Sequence, residues 1–89
     1  MCRNIKPLFN FDPPATKPEI HEAALQFVRK VTGFRKPSKA NEAAFQAAVE
    51  AITAVSSQLL GSLETNAPPK DRLEEAERAH ERAVRRFAA

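Results

Sequence analysis

Prolines divide the chain into a short arm and three segments that are long enough to form helices. The dividing prolines are Pro7, Pro13, Pro14, Pro37, Pro68 and Pro69. Because proline lacks a backbone N–H and its ring clashes with the preceding turn, a helix cannot continue through these positions. The 89 residues therefore predict one domain of the all-α class, a small three-helix bundle with an extended N-terminal arm, residues 1–15, packed on it.

The first helix is predicted over residues 17–32. Thr16 and Glu19 have the spacing of a capping box, in which each side chain satisfies a backbone N–H at the helix start. Gly33 ends the helix because glycine adopts the left-handed conformation without a steric penalty. The predicted buried face repeats every three or four residues and consists of Ile20, Ala23, Ala24, Phe27, Val28 and Val31.

The second helix is predicted over residues 38–63, with Ser38 as its N-cap. Large apolar residues form one stripe along it, and small residues form a second stripe that consists of Ala40, Ala44, Ala47, Ala51 and Ala54. Since alanine lets another backbone approach closely, the alanine stripe predicts a neighbour on that side. The neighbour is either another helix of the chain or a second subunit.

The third helix is predicted over residues 69–87, with Pro69 at its first position. Its apolar face is narrow, and the other faces carry glutamate–arginine pairs such as Glu74 with Arg78, spaced four residues apart. We therefore expect this helix to dock more weakly than the other two.

The composition is that of a folded protein without a membrane span. Hydrophobic residues make up 43% and charged residues 28%, and no apolar run reaches the roughly 18 residues that a membrane helix needs. Cys2 is the only cysteine, which agrees with a reducing compartment. We expect a cytoplasmic protein.

No enzyme motif is present. The chain has two glycines, too few for a glycine-rich phosphate loop, and it lacks a histidine-pair metal helix and a nucleophile elbow. We expect a non-enzymatic binding module, and no pattern indicates a particular cofactor.

A basic patch surrounds the predicted break between the first two helices. Five cations and no acid occur between residues 29 and 39. A helix N-terminus favours anions, so we expect the patch to bind phosphates of nucleic acid or of a ribonucleoprotein, with Phe34 available to stack on a base. The alternative is an ordinary solvated surface. The predicted anion-binding residues are Arg29, Lys30, Arg35, Lys36, Ser38 and Lys39.

Two other functions are open. Cys2 is a candidate reactive thiol, because loss of Met1 would place its thiol beside the α-amine, and such a pair binds soft metals or acts as a nucleophile. His21 and His80 are the remaining soft ligands, but their spacing does not predict a metal site. The third hypothesis is a homodimeric adaptor or subunit that packs through the alanine stripe.

Several strings of the sequence carry a family resemblance, and they cover residues 1–6, 8–11 with 13–16, 26–30, 33–41 and 67–69. They resemble the bacterial domain of unknown function 2277 family, a group of uncharacterised short proteins. The resemblance extends over nearly the whole chain and implies a short bacterial protein. It brings no activity, ligand or site residue with it.

Overall fold

The computed structural model describes residues 3–88, and they are mostly helical. In chain order the elements are β1 (Phe11–Asp12), α1 (Lys17–Thr32), a 3₁₀ turn (Lys39–Asn41), α2 (Glu42–Ser62), β2 (Lys70–Asp71) and α3 (Arg72–Ala88). The three helices that the sequence predicts are present. Among the described residues no helix has the length and apolar character that crossing a bilayer requires.

The ends of α1 are formed by the predicted capping residues. The Thr16 hydroxyl accepts the Glu19 N–H at 3.3 Å, and the Glu19 carboxylate accepts the Thr16 N–H at 2.9 Å. At the other end, Gly33 has a φ of 77° and donates its N–H to the Arg29 carbonyl oxygen. The capping box and the left-handed glycine are therefore confirmed.

The start of α2 differs from the prediction, because Ser38 does not cap it. Ser38 precedes the 3₁₀ turn, and its side chain caps no backbone N–H. Its hydroxyl instead accepts a hydrogen bond from the Asn41 side-chain amide at 2.9 Å. The Asn41 N–H also donates to the Ser38 carbonyl oxygen at 2.9 Å. This local pairing tightens residues 39–41 into a 3₁₀ turn, and regular α-helix begins at Glu42.

The core lies between α1 and α2, which form a helical hairpin. Three buried residues of α1 face three of α2, and the six are Ile20, Ala24, Val28, Phe45, Val49 and Thr53. Val49 is 1% exposed, the least of the core residues. The Thr53 hydroxyl donates to the Val49 carbonyl oxygen within the helix at 2.7 Å, so this buried polar side chain carries little desolvation penalty.

The N-terminal arm lies against α1 and ends in a short strand pair. The backbone N–H groups of Asn4 and Ile5 donate to the Gln26 side-chain oxygen at 2.8 and 3.2 Å. Further on, β1 pairs with β2 in parallel, and Lys70 donates its N–H to the Asn10 carbonyl oxygen at 2.7 Å. The sequence did not predict these strands, because two residues are too few to show an alternating pattern.

α3 begins at Arg72, three positions after the predicted start. Asp71 caps it by accepting the Glu74 N–H at 2.9 Å, and Pro69 lies outside the helix. None of the α3 side chains that the structure describes is buried, and Leu73 is 71% exposed. A closed three-helix bundle is therefore not confirmed, since the core consists of α1 and α2.

The molecule is flat, with extents of 45 × 37 × 15 Å. Its radius of gyration is 15.9 Å, whereas a compact domain of this length has about 12 Å. α3 contacts β2 but adds none of its described side chains to the buried core of the hairpin, which agrees with the larger radius.

Candidate functional site

The basic patch occupies the end of the molecule where α1 leads into α2. Arg29 and Lys30 belong to the last turn of α1, and Arg35 and Lys36 lie in the connection after Gly33. Lys39 begins the 3₁₀ turn. All five cations are exposed, so the fold brings them to one end of the hairpin with their charges in contact with water.

Hydrogen bonds fix the shape of the connection. The Thr32 hydroxyl donates to the Val28 carbonyl oxygen at 2.7 Å and accepts the Phe34 N–H at 3.1 Å. The Arg29 Nε–H donates to the Arg35 carbonyl oxygen at 3.1 Å. Arg29 therefore links the last turn of α1 to the connection and holds the Arg35 backbone in place.

Three of the six predicted residues line one open groove between the ends of α1 and α2. Arg29, Arg35 and Lys36 lie in its wall, and the groove has a volume of about 910 Å³. Lys30, Ser38 and Lys39 lie outside it. One acid also lines it, Glu42, so the groove carries three cations against one carboxylate. Its lining residues are Leu25, Arg29, Arg35, Lys36, Pro37, Glu42, Ala43, Phe45 and Gln46.

The cations of the basic patch are not neutralised by ion pairs within the described part of the chain. Ion pairs there involve Arg72, with Glu19, and Arg78, with Glu74 and Glu75. The groove therefore presents uncompensated positive charge, which attracts a polyanion more strongly than a surface of balanced charge does.

Ser38 does not cap α2 as predicted. Its hydroxyl accepts a hydrogen bond from the Asn41 side chain, and it precedes the 3₁₀ turn rather than the first turn of α2. The positive charge of the groove therefore comes from side chains rather than from a Ser38-capped helix start.

An ion pair that the sequence did not predict joins the start of α3 to α1. The Arg72 guanidinium makes two hydrogen bonds of 2.9 Å to the two oxygens of the Glu19 carboxylate, and its Nε–H donates to the Pro13 carbonyl oxygen at 2.7 Å. The hydrogen bonds from Arg72, and then from the Thr16 backbone, lower the pKa of Glu19 from 4.5 to about 2. The capping box pointed to Glu19, but nothing in the local sequence identifies a partner 53 residues away.

The soft ligands do not converge where the structure describes them. Among the described residues, no three histidine, cysteine, aspartate or glutamate side chains are arranged to hold a metal ion. His21 is half-buried on α1 and His80 is exposed on α3. Cys2, the predicted candidate thiol, lies outside the described residues.

Comparison with known proteins identifies one family. The family described as Uncharacterized conserved protein (DUF2277) matches residues 1–78. No curated protein and no solved structure matches the sequence. The matched part of the chain contains the arm, the hairpin core and the basic groove.

Proposed function

The chain belongs to the DUF2277 family of uncharacterized conserved proteins, and from the geometry of its site we propose that it is a non-enzymatic helical binding module for nucleic acid. In this proposal the groove formed by Arg29, Arg35 and Lys36 contacts the phosphates, free or within a ribonucleoprotein. Lys30 and Lys39 add positive charge to the electrostatic field around the groove.

One observation carries the proposal: three cations from a helix and from the following connection line the same open groove without an ion-pair partner among the described residues. The Arg29 side chain is also anchored by its hydrogen bond to the Arg35 carbonyl oxygen. A cation that is anchored before binding loses less conformational entropy when a phosphate backbone enters.

Phe34 favours a single strand over a duplex. Its side chain is 40% exposed and directly precedes Arg35. Proteins that bind single strands combine a cationic groove with an aromatic ring on which a base stacks. Such a ring has no access to the stacked bases of an intact duplex.

The test is the salt dependence of binding to a fluorescent single-stranded RNA oligonucleotide, followed by anisotropy. Each phosphate contact contributes a slope of about 0.7 in log affinity against log salt concentration for a single strand. Replacing Arg35 and Lys36 together by alanine should reduce the slope by about 1.4 and weaken binding. The matched control is the Arg85→Ala, Arg86→Ala double variant, which removes the same charge from exposed positions on α3.

The control distinguishes binding by the groove from a general attraction that arises from the net charge of the protein. If both double variants lower the affinity and the slope equally, the attraction arises from overall charge and the groove is not the site. Absence of RNA binding by the unmodified protein at low salt would also refute the proposal.

We also propose the bacterial cytoplasm as the location of this module. The lone cysteine agrees with a reducing compartment, and cytoplasmic RNA would be available to the groove.

A further inference from the structure

One broad side of the α1–α2 hairpin is apolar and exposed to water. We name it the apolar side and define it by five side chains: Phe27 and Val31 from α1, and Val55, Leu59 and Leu63 from α2 and its C-terminal cap. Their exposed fractions are 48%, 68%, 65%, 56% and 45%. These are large hydrophobic residues, whereas the alanine stripe beside them exposes small ones.

Helix geometry places these residues on the same side. Phe27 directly precedes the core residue Val28, and Ile52 directly precedes the core residue Thr53. A residue one position before a core residue is turned by about 100° from the core. In two antiparallel helices that face each other, the positions directly before core residues lie on the same broad side of the pair. Phe27 and Ile52 therefore lie on the same side. Val55 follows Ile52 by three positions and continues the same row.

The opposite broad side is polar. Residues that directly follow core positions lie there, among them Arg29, Gln46 and Glu50. Arg29 and Gln46 line the same groove, which is direct evidence that following positions on the two helices share a side. The hairpin therefore separates an apolar side from the side that carries the basic groove.

The exposed side chains of the apolar side form two groups, with Phe27 and Val31 near the α1–α2 connection and the other three near the C-terminal end of α2. A large hydrophobic side chain that is half exposed leaves on the order of 100 Å² in water, so the two groups together leave on the order of 500 Å², as much as a large single patch on a soluble monomer. The only charged residues of α2, Glu42 and Glu50, lie off this side. Nothing charged on α2 therefore opposes its burial.

We propose that a second copy of this chain covers the apolar side, so that two hairpins stack into a symmetric four-helix dimer. Two copies would bury on the order of 1,000 Å² from these five side chains alone, and the small residues around them bring the total into the range of about 1,200–2,000 Å² of a stable interface. A two-fold axis lets one patch cover an identical patch. The polar sides and both basic grooves then face outward.

The position of the apolar side next to the core favours a second copy of the chain as the partner that covers it. Ile52 and Ala48 pack against the buried cluster and also border the apolar side, so the cover adjoins the core of the folded chain. α1 and α2 form one layer of helices, and stable domains have at least two layers around a core. A second copy supplies that layer wherever the chain itself is present, whereas an unrelated partner would leave the chain uncovered until it arrived.

Sedimentation equilibrium of the full chain over a range of concentrations tests the proposal. We expect a mass twice the 9.9 kDa of one chain. Leu59→Glu places a charge in the apolar side and should reduce the mass to that of one chain. The matched control is Leu73→Glu, which makes the same change at an exposed position of α3 rather than of the hairpin and should leave the dimer intact.

A second measurement covers the case in which Leu59→Glu unfolds. The unmodified dimer should show a Tm that rises with protein concentration, since dissociation accompanies unfolding. A mass of one chain together with a concentration-independent Tm would overturn the proposal. Equal loss of mass in both glutamate variants would place the interface elsewhere and would also overturn it. RNA binding by the groove does not enter either measurement, so the two proposals fail separately.

Discussion

The ion pair of Glu19 and Arg72 joins three parts of the chain. Glu19 accepts the Thr16 N–H at the start of α1 and both guanidinium hydrogen bonds from Arg72, and Arg72 also holds Pro13 of the arm. These contacts lower the pKa of Glu19 from 4.5 to about 2. A lowered pKa means that the folded state favours the ionised form, so the stabilisation is complete above pH 4.5 and disappears as the pH falls toward 2.

Glu19→Gln should therefore lower the Tm at neutral pH by a few degrees, and the difference from the unmodified protein should narrow between pH 4.5 and 2. Thermal unfolding followed by circular dichroism at several pH values measures it. Glu74→Gln is the control, because Glu74 makes a longer and exposed contact of 3.7 Å with Arg78. Profiles for unmodified protein and Glu19→Gln that stay parallel down to pH 2 would contradict the assignment.

Ser57 has a buried hydroxyl without a hydrogen-bond partner among the described residues. Its Oγ borders the groove between the arm and α2, which has a volume of about 570 Å³. An unsatisfied buried hydroxyl costs about 1 kcal/mol or more. Ser57→Ala should raise the Tm by about 4–8 °C for each kcal/mol gained.

The comparison variant is Ser62→Ala, whose hydroxyl is exposed and bonded to the Gln58 carbonyl oxygen at 2.8 Å. Ser57→Ala gains at most about 0.7 kcal/mol of helix propensity in the interior of α2, and Ser62→Ala gains less at the last helical residue, so stabilisation beyond that amount measures the buried hydroxyl. If the two variants gain equally in a thermal melt, the Ser57 hydroxyl is satisfied in solution.

At the scale of helices and strands, the sequence predicted those features that depend on residues close together in the chain. The capping box of α1 and its glycine end depend on residues within one turn, and both are confirmed. The start of α2 was wrong because Ser38 and Asn41 satisfy each other instead of the helix. The parallel strand pair and the Glu19–Arg72 contact depend on residues more than fifty positions apart, for which a single sequence shows no pattern.

The candidate site follows the same division. Its five cations form a run that the sequence shows directly, and the exposure of all five agrees with it. Which of them share a groove depends on where α1 and α2 meet, and the Arg29 hydrogen bond to the Arg35 carbonyl oxygen is visible only in three dimensions.

For the whole molecule, the arrangement implies that the hairpin folds without α3. Every residue that the structure describes as buried belongs to α1 or α2. α3 is held by Arg72, by the strand pair and by the cations of Lys70 and Arg72, which lie over the Phe11 ring at 5.3 and 5.6 Å from its centre. Deletion of residues 70–89 removes all of these contacts and no core side chain. The truncated chain keeps the 16 residues of α1 and the 21 residues of α2, and it loses the 17 residues of α3.

Circular dichroism at 222 nm should therefore show that the truncated chain loses about a third of the helical signal per molecule and still unfolds in one cooperative transition at a lower Tm. Arg72→Ala in the full chain is the companion variant, because it removes the ion pair and leaves the chain length unchanged. A truncated chain with no cooperative transition, beside an Arg72→Ala protein that retains its full signal, would show that α3 supports the core directly. Retention of the transition would locate the folding unit in the hairpin, where the basic groove and the apolar side both lie.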